Sequence, residues 1–256
     1  MLVIISFFVA HWYLSLFFQT FFLHRYAAHR TFTMSRTSEK VFFVLTWLFQ
    51  GSHYLSAYGY GVMHRLHHAF ADTENDPHSP KYDDNLFKMM MKTKDVYQDI
   101  NHKTADVDPK FLTNIPEWPA FDKFASSWPS RLGWVAVYVA IYAMFATQWW
   151  LWLLLPIQIL MAPVHGAIIN WFAHIYGYRN FEVSDTSKNF LPLDFLMLGE
   201  SYHNNHHKFG SRINFGGVRW HEIDPVYFIA LGLDKIGVIK IRNKKSIEAE
   251  ALKKAA

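Results

Sequence analysis

The chain has 256 residues, 51% of them hydrophobic, 18% aromatic and only 18% charged, with a formal net charge of +4 and no cysteine. So apolar a balance points to a membrane protein, and the missing thiols exclude thiolate zinc sites, Cys-ligated iron–sulfur clusters and disulfides. All 25 Lys and Arg avoid two long stretches, 1–23 and 132–178, so the charge reads as a positive-inside bias that places both charged blocks in the cytoplasm, with no nucleic acid needed to explain it.

Residues 1–23 suffice to cross a bilayer, since about 20 helical residues at 1.5 Å span roughly 30 Å. A signal peptide is set aside, because the segment lacks a basic start and a small-residue cleavage site. The first histidine cluster, His24 and His29, follows at once. Residues 41–62 are again apolar and uncharged over 22 positions. A full crossing there would strand His24 and His29 on the opposite face from the next cluster, His64, His67 and His68. An interfacial or re-entrant helix is therefore expected, helped by Gly51, Gly59 and Gly61.

Residues 71–80 (ADTENDPHSP) form an acidic, turn-rich loop, and 81–123 a helical cytoplasmic excursion interrupted by Pro109, Pro116 and Pro119. The 47 uncharged residues 132–178 suit two spans, 132–148 and 150–171, with an outer turn at Thr147 and Gln148. Trp149, Trp150 and Trp152 stand there as an interfacial aromatic belt, and Pro156 and Pro163 are placed to kink the second span. That hairpin returns the chain to the cytoplasmic side, where Asn170 and His174 precede the last cluster, His203, His206 and His207. The tail, 240–256, is basic.

His64-Arg65-Leu66-His67-His68 and His203-Asn204-Asn205-His206-His207 share a His-x-x-His-His spacing that puts three imidazoles on about one helical turn. Imidazole is the commonest transition-metal ligand. A lone HxxH pair is more often ordinary surface or core histidine, but four clusters gather nine of the fifteen histidines, enough nitrogens for two ions. HExxH is absent, so a zinc protease would lack its general base, and a bis-histidine haem would need only two facing rings. The remaining six, His11, His53, His78, His102, His165 and His221, read as structural. Asp76, Asp185 and Glu200 are candidates for carboxylates that orient ligand imidazoles. The expected fold is an all-α membrane protein of one domain, 1–256. It has about three transmembrane helices (1–23, 132–148, 150–171), an interfacial or re-entrant helix, and a cytoplasmic helical cap (24–131 and 172–239) that holds a two-metal site.

Taken in order, HRYAAH (24–29), HRLHH (64–68), NWFAH (170–174) and LGESYHNNHH (198–207), with DPHSP and RWHEIDP in support, resemble the integral-membrane fatty acid desaturases of the acyl-CoA (stearoyl) type. The resemblance implies two iron ions, O2 and two electrons from a separate donor such as ferredoxin or cytochrome b5 with its reductase. The product would be a cis double bond in a fatty acyl chain carried on CoA or on a lipid. It further implies one iron on His24, His29, His64, His68 and His207, and another on His67, His174, His203 and His206, with Asn170 holding a coordinated water. The setting would be a bacterial inner membrane with the active site facing the cytoplasm. His24 and His29 lie about 140° apart on an ideal α-helix, so the helix must end or bend between them. Typical members have two spans ahead of the first box where this chain has 23 residues, which implies three crossings with an outside N-terminus, or a missing span. Val62-Met63 stands where animal acyl-CoA members carry an Arg-Asp pair that helps hold CoA. The alternatives are a related di-iron lipid hydroxylase or ketolase, and a non-catalytic metal or haem membrane protein.

Overall fold

An uncharged N-terminal run with apolar side chains all round can only be a helix buried on every side, by lipid or by protein. In the computed structural model, which describes residues 1–242, that run is α1, Leu2–Ala28, 27 residues long. Its first part is α-helical, and from Gln19 to Ala28 it widens into π-helical turns. The chain then reverses through Arg30, at φ 53°, into β1 (Phe32–Met34), which pairs antiparallel with β2 (Ile239–Ile241).

Ser35 caps α2 (Arg36–Gln50) by accepting from the Ser38 N–H, and Ser56 caps α3 (Ala57–Phe70) by accepting from Gly59. No single helix covers 41–62. Gly51, at φ 58°, ends α2, a short 3-10 turn follows, and α3 starts afresh. A side chain at 51 would also meet the Tyr138 ring, since its Cβ would fall 1.7 Å from Tyr138 Oη. α2 packs on α1 through stacked Phe18 and Phe49 rings. α3 lies on the widened end of α1, where a Cβ at Gly61 would fall 3.4 Å from the Ala27 carbonyl.

α4 (Leu86–Asn101), α5 (Pro119–Ala125) and α6 (Trp128–Phe145) follow. Next come α7 (Trp149–Ile159) and α8 (Met161–Ile175), bent by 75° at their junction. Beyond an irregular stretch come α9 (His203–Lys208) and α10 (Pro225–Lys235).

The expectation of three separate spans is corrected in two places. Among the described residues only α1 is by itself long and apolar enough to cross a membrane, and α7 with α8 pass that test only as a bent pair. α6 falls short because its first turn holds Pro129, Ser130 and Arg131, which leaves an apolar stretch of roughly 20 Å. The segment 150–171 is not one helix because Pro163 has no N–H to give the Ile159 carbonyl. That freed oxygen accepts instead from Ser52 Oγ at 2.8 Å and from His53 Nδ1 at 2.6 Å. Of the tail 240–256, only the first residues, in and beside β2, are described; 243–256 lie outside the described residues.

Phe21, Phe22, Phe32 and Phe43 are fully buried between α1, β1 and α2, joined by partners such as Phe21 and Phe32 at 4.7 Å. Each contributes about 1.5–3 kcal/mol by burial. This aromatic wedge fixes the end of α1 against α2, and thereby the first histidine cluster.

Candidate metal centre

The widened end of α1 answers the problem of His24 and His29. In π-helical turns the hydrogen bond runs from residue i+5 to residue i, and His29 N donates to the His24 carbonyl at 3.2 Å. The helix closes at Ala28, with His29 as its C-cap, so the expected end does fall between them. The larger last turn brings the two rings to 5.1 Å between centroids, tilted by 54° to each other.

α3 brings His64, His67 and His68, α8 brings His174, and α9 brings His203, His206 and His207. Their nitrogens converge in two groups, His24, His29, His64, His68 and His206 in one, and His67, His174, His203 and His207 in the other. Within the first, His24 and His206 approach at 2.9 Å between Nε2 atoms, His29 and His64 at 2.9 Å, and His68 and His206 at 2.8 Å. Within the second, the corresponding distances are 3.2 Å for His67 and His207 and 3.0 Å for His174 and His203.

This exchanges His206 and His207 relative to the division that the family resemblance implies. The reason is helical. Residues i and i+4 lie about 40° apart, whereas i+3 and i+4 lie about 100° apart. In each His-x-x-His-His box the outer pair therefore serves one group and the middle histidine the other. His64 and His68 join the first group with His206, and His203 and His207 join the second with His67.

Four of the nine rings are oriented through Nδ1. His24 meets Glu200 Oε2 at 2.7 Å, His67 meets Asp76 Oδ1 at 2.9 Å, and His207 meets Asp185 Oδ2 at 2.9 Å. His174 lies 3.1 Å from Thr186 Oγ1 and 3.5 Å from Asp72 Oδ2. A carboxylate beside Nδ1 fixes the proton there and leaves Nε2 as a lone pair. Lone pairs facing each other at about 3 Å repel, and a cation between them removes the repulsion. Burial, followed by the electrostatic effect of neighbouring groups, holds His29, His64, His68, His203, His206 and His207 well below the ordinary histidine range, so they stay neutral and free to ligate. A nitrogen-only donor set of five and four fits two transition metals and does not fit magnesium or calcium.

Asn170 stands in the second stretch of π-helical turns, Ile168–Phe172, and lines a cavity of about 50 Å³ that also meets His24, His64 and His203. The structure brings it to the centre without placing it in either histidine group. His78, which reads from sequence as structural, is buried against His67 with ring centroids 4.3 Å apart, and neither nitrogen has a hydrogen-bond partner. Together with Asp76 it could form a third, smaller group around His67. His53 and His221 are bonded to carbonyls away from the centre.

Three supports had only faint signals in the sequence. Asp72 accepts from Thr186 N and lies near His174, and its one signal was membership of the acidic loop with Asp76. Thr20 donates to Glu200. Arg25, fully buried, reaches Glu200 at 3.1 Å and Asp224 at 2.8 Å and lies over the Phe215 ring.

Two pH windows follow. Unfolded imidazoles protonate near 6.5 while these six remain neutral when folded, so below that pH the unfolded chain binds more protons and the native state loses ground. The thermal midpoint of the metal-stripped protein should fall as pH drops from about 7 to 5, and a flat profile there would contradict neutral, buried rings. Burial pushes the Asp76 carboxyl up, but the hydrogen bond with His67, the electrostatic effect of the neighbouring imidazoles and the bond from the His78 backbone N–H outweigh it and leave it at about 2. Its contribution should persist until pH falls from about 4 towards 2.

The family model for fatty acid desaturases matches residues 1–232. The chain is 27% identical to a hex-5-enoyl-[acyl-carrier protein] acetylenase of Moorena producens over 95% of its own length and 79% of that protein's. It is 30% identical to the Delta-9 desaturase-like 4 protein of Arabidopsis thaliana, covering 86% of this chain and 69% of the relative. To the sn-1 stearoyl-lipid 9-desaturase of a Synechocystis strain the identity is 28%, over 85% and 64% of the two chains. With the four boxes converging on two histidine groups suited to a di-iron site, the match establishes that the chain belongs to the fatty acid desaturase family and is an oxidoreductase.

Proposed function

We propose that the protein uses O2 and two electrons to place a cis double bond in a saturated fatty acyl chain, at two irons held by the two histidine groups. The carrying observation is the reciprocal convergence of nine imidazoles backed by Glu200, Asp76, Asp185 and Asp72. Iron bound there would supply the oxygen-dependent removal of hydrogen from an unactivated methylene, which no protein side chain performs. The residues of the chain do the rest. His24, His29, His64, His68 and His206 would hold one iron, and His67, His174, His203 and His207 the other, with Asn170 fixing a water on the second. The carboxylates keep the Nδ1 protons in place. Leu16, Met63, Ile169 and Met197 line the apolar part of the cavity against which methylenes would rest and from which water is excluded.

In this reading the substrate is an acyl lipid in preference to acyl-CoA. Val62 and Met63 are buried and apolar, with no charge to offer a CoA phosphate, and at least three of the relatives carry names of acyl-lipid enzymes. Electrons come from a separate one-electron carrier of the ferredoxin or cytochrome b5 type. The test is lipid analysis of a host expressing the chain with a competent donor. New cis-monounsaturated acyl chains should appear with oxygen and not without it. Hydroxy-fatty acids with no new double bond would favour the hydroxylase reading.

We further propose that the chain crosses by α1, by α7 with α8 as one bent span, and by α6, whose apolar stretch of roughly 20 Å is met by local thinning of the bilayer, with the histidine centre on the cytoplasmic side. Support comes from the N-terminal amine, which reaches Thr147 Oγ1 at 3.0 Å and so places the start of α1 beside the turn between α6 and α7. A cysteine introduced at Gln148 should react with an impermeant thiol reagent in intact cells, and one at Lys110 should not. The reverse pattern would invert the topology.

A further inference from the structure

α1 carries polar side chains where a membrane helix has least use for them. His11, Ser15 and Gln19 recur every four residues and so share one face, and all three are buried. Ser15 Oγ and Gln19 Oε1 have no hydrogen-bond partner in the protein. Beside this face, on α8, stands His165, 1% exposed and with neither ring nitrogen bonded, packed edge-on to Trp12 at 4.5 Å. Gln19 and His165 both line the cavity beside the histidine centre. At the other end, His11 Nε2 lies 3.4 Å from Tyr138 Oη, and that ring stands against Gly51, next to Ser52, whose carbonyl is bonded by Arg131 at 2.8 Å.

Buried polar atoms without protein partners are satisfied by water where there is room for it. Neighbours four apart on a helix are spaced at about 6 Å, a gap that one water bridges. We propose that His11, Ser15, Gln19 and His165 line a hydrated track through the apolar bundle, carrying water and protons between the Arg131–Tyr138 edge and the cavity at the histidine centre. Its use rests on the desaturation reading. Converting –CH2–CH2– to –CH=CH– with O2 takes two electrons from the one-electron carrier and two protons from solvent, and releases two waters. On its other side the centre opens to solvent through a pocket lined by His68, Asp185 and His207, and the track gives protons and water a second way in, from the side of the cavity that Leu16, Met63, Ile169 and Met197 line.

The test is radiolytic hydroxyl-radical footprinting of the full chain in lipid nanodiscs, since radicals form on ordered waters and label the side chains beside them. Tyr138 and Tyr142 make a matched pair, both fully buried and one turn apart on α6. Tyr138 abuts the track, and Tyr142 sits away from it in the apolar cluster of Ile4 and Leu151, with its hydroxyl donated to Gln158 at 2.8 Å. Tyr138 should be labelled several-fold faster than Tyr142, and equal rates would overturn the track. Ser15→Leu should bring Tyr138 and His165 down to the Tyr142 rate, whereas Ser15→Ala should leave them labelled. Should Ser15→Leu fail to fold, the comparison in the unmodified protein still decides. In the turning-over enzyme, Ser15→Leu should divert electrons, raising peroxide released per double bond several-fold, and an unchanged ratio would overturn the role in proton delivery. Labelling needs no substrate, so a protein that hydrates Tyr138 but makes no double bond would refute the desaturation reading and leave the track standing.

Discussion

Alanine at His206 should abolish desaturation and empty the five-histidine group, while alanine at His207 should abolish it by emptying the other. Both losses should exceed the roughly 10–100-fold that removal of an outer-shell partner costs, since a ligand itself is gone. The two variants are adjacent in sequence yet differ in which metal they forfeit, because neighbouring helical residues point about 100° apart. Metal analysis combined with spectroscopy of the remaining iron distinguishes them. If His206→Ala and His207→Ala leave the same spectroscopic signature, the reciprocal arrangement of the two boxes is wrong.

The second large effect lies at Arg25. Its guanidinium is wholly buried and paired with Glu200 and Asp224, and Phe215 lies beneath it. Removing one partner of a buried ion pair strands the other charges and costs about 3–5 kcal/mol. Arg25→Ala should therefore lower the thermal midpoint markedly and also weaken metal retention, because Glu200 would lose the cation that helps hold it against His24 Nδ1. Asp224→Asn keeps a hydrogen-bonding oxygen near Arg25 and should cost less. A variant at Arg25 as stable as the parent would mean that the triad contributes nothing to the fold.

Much of this arrangement was legible in the sequence. The lack of charge in 1–23 marked α1, and the spacing of the boxes marked all nine histidines of the two main groups, though not His78 beside His67. The division of the rings between the two groups was also present in the spacing, since His203 and His207 stand i, i+4 and His206 does not. The carry-over from relatives ran against that rule. Less could be read of the backbone. Nothing in HRYAAH announces π-helical turns, which cost hydrogen-bond geometry locally and persist only because α3 packs on them and Glu200 grips His24. The bend between α7 and α8 was half visible in Pro163, but the groups that satisfy the freed carbonyl, Ser52 and His53, come from about 106 residues away. Asp72 and Thr186 meet across 114 positions, a pairing no local pattern encodes.

The shortness of α9 has a consequence for assembly. Six residues are far below the dozen or so at which an isolated helix becomes even marginally stable in water, and its histidines are divided between both groups. Any ion held there would clasp this turn to α3, about 140 positions earlier in the chain, and tie off a very long loop in doing so. Loading of metal would then strengthen the docking of the C-terminal third, and iron supply would raise the stability of the chain as well as its activity.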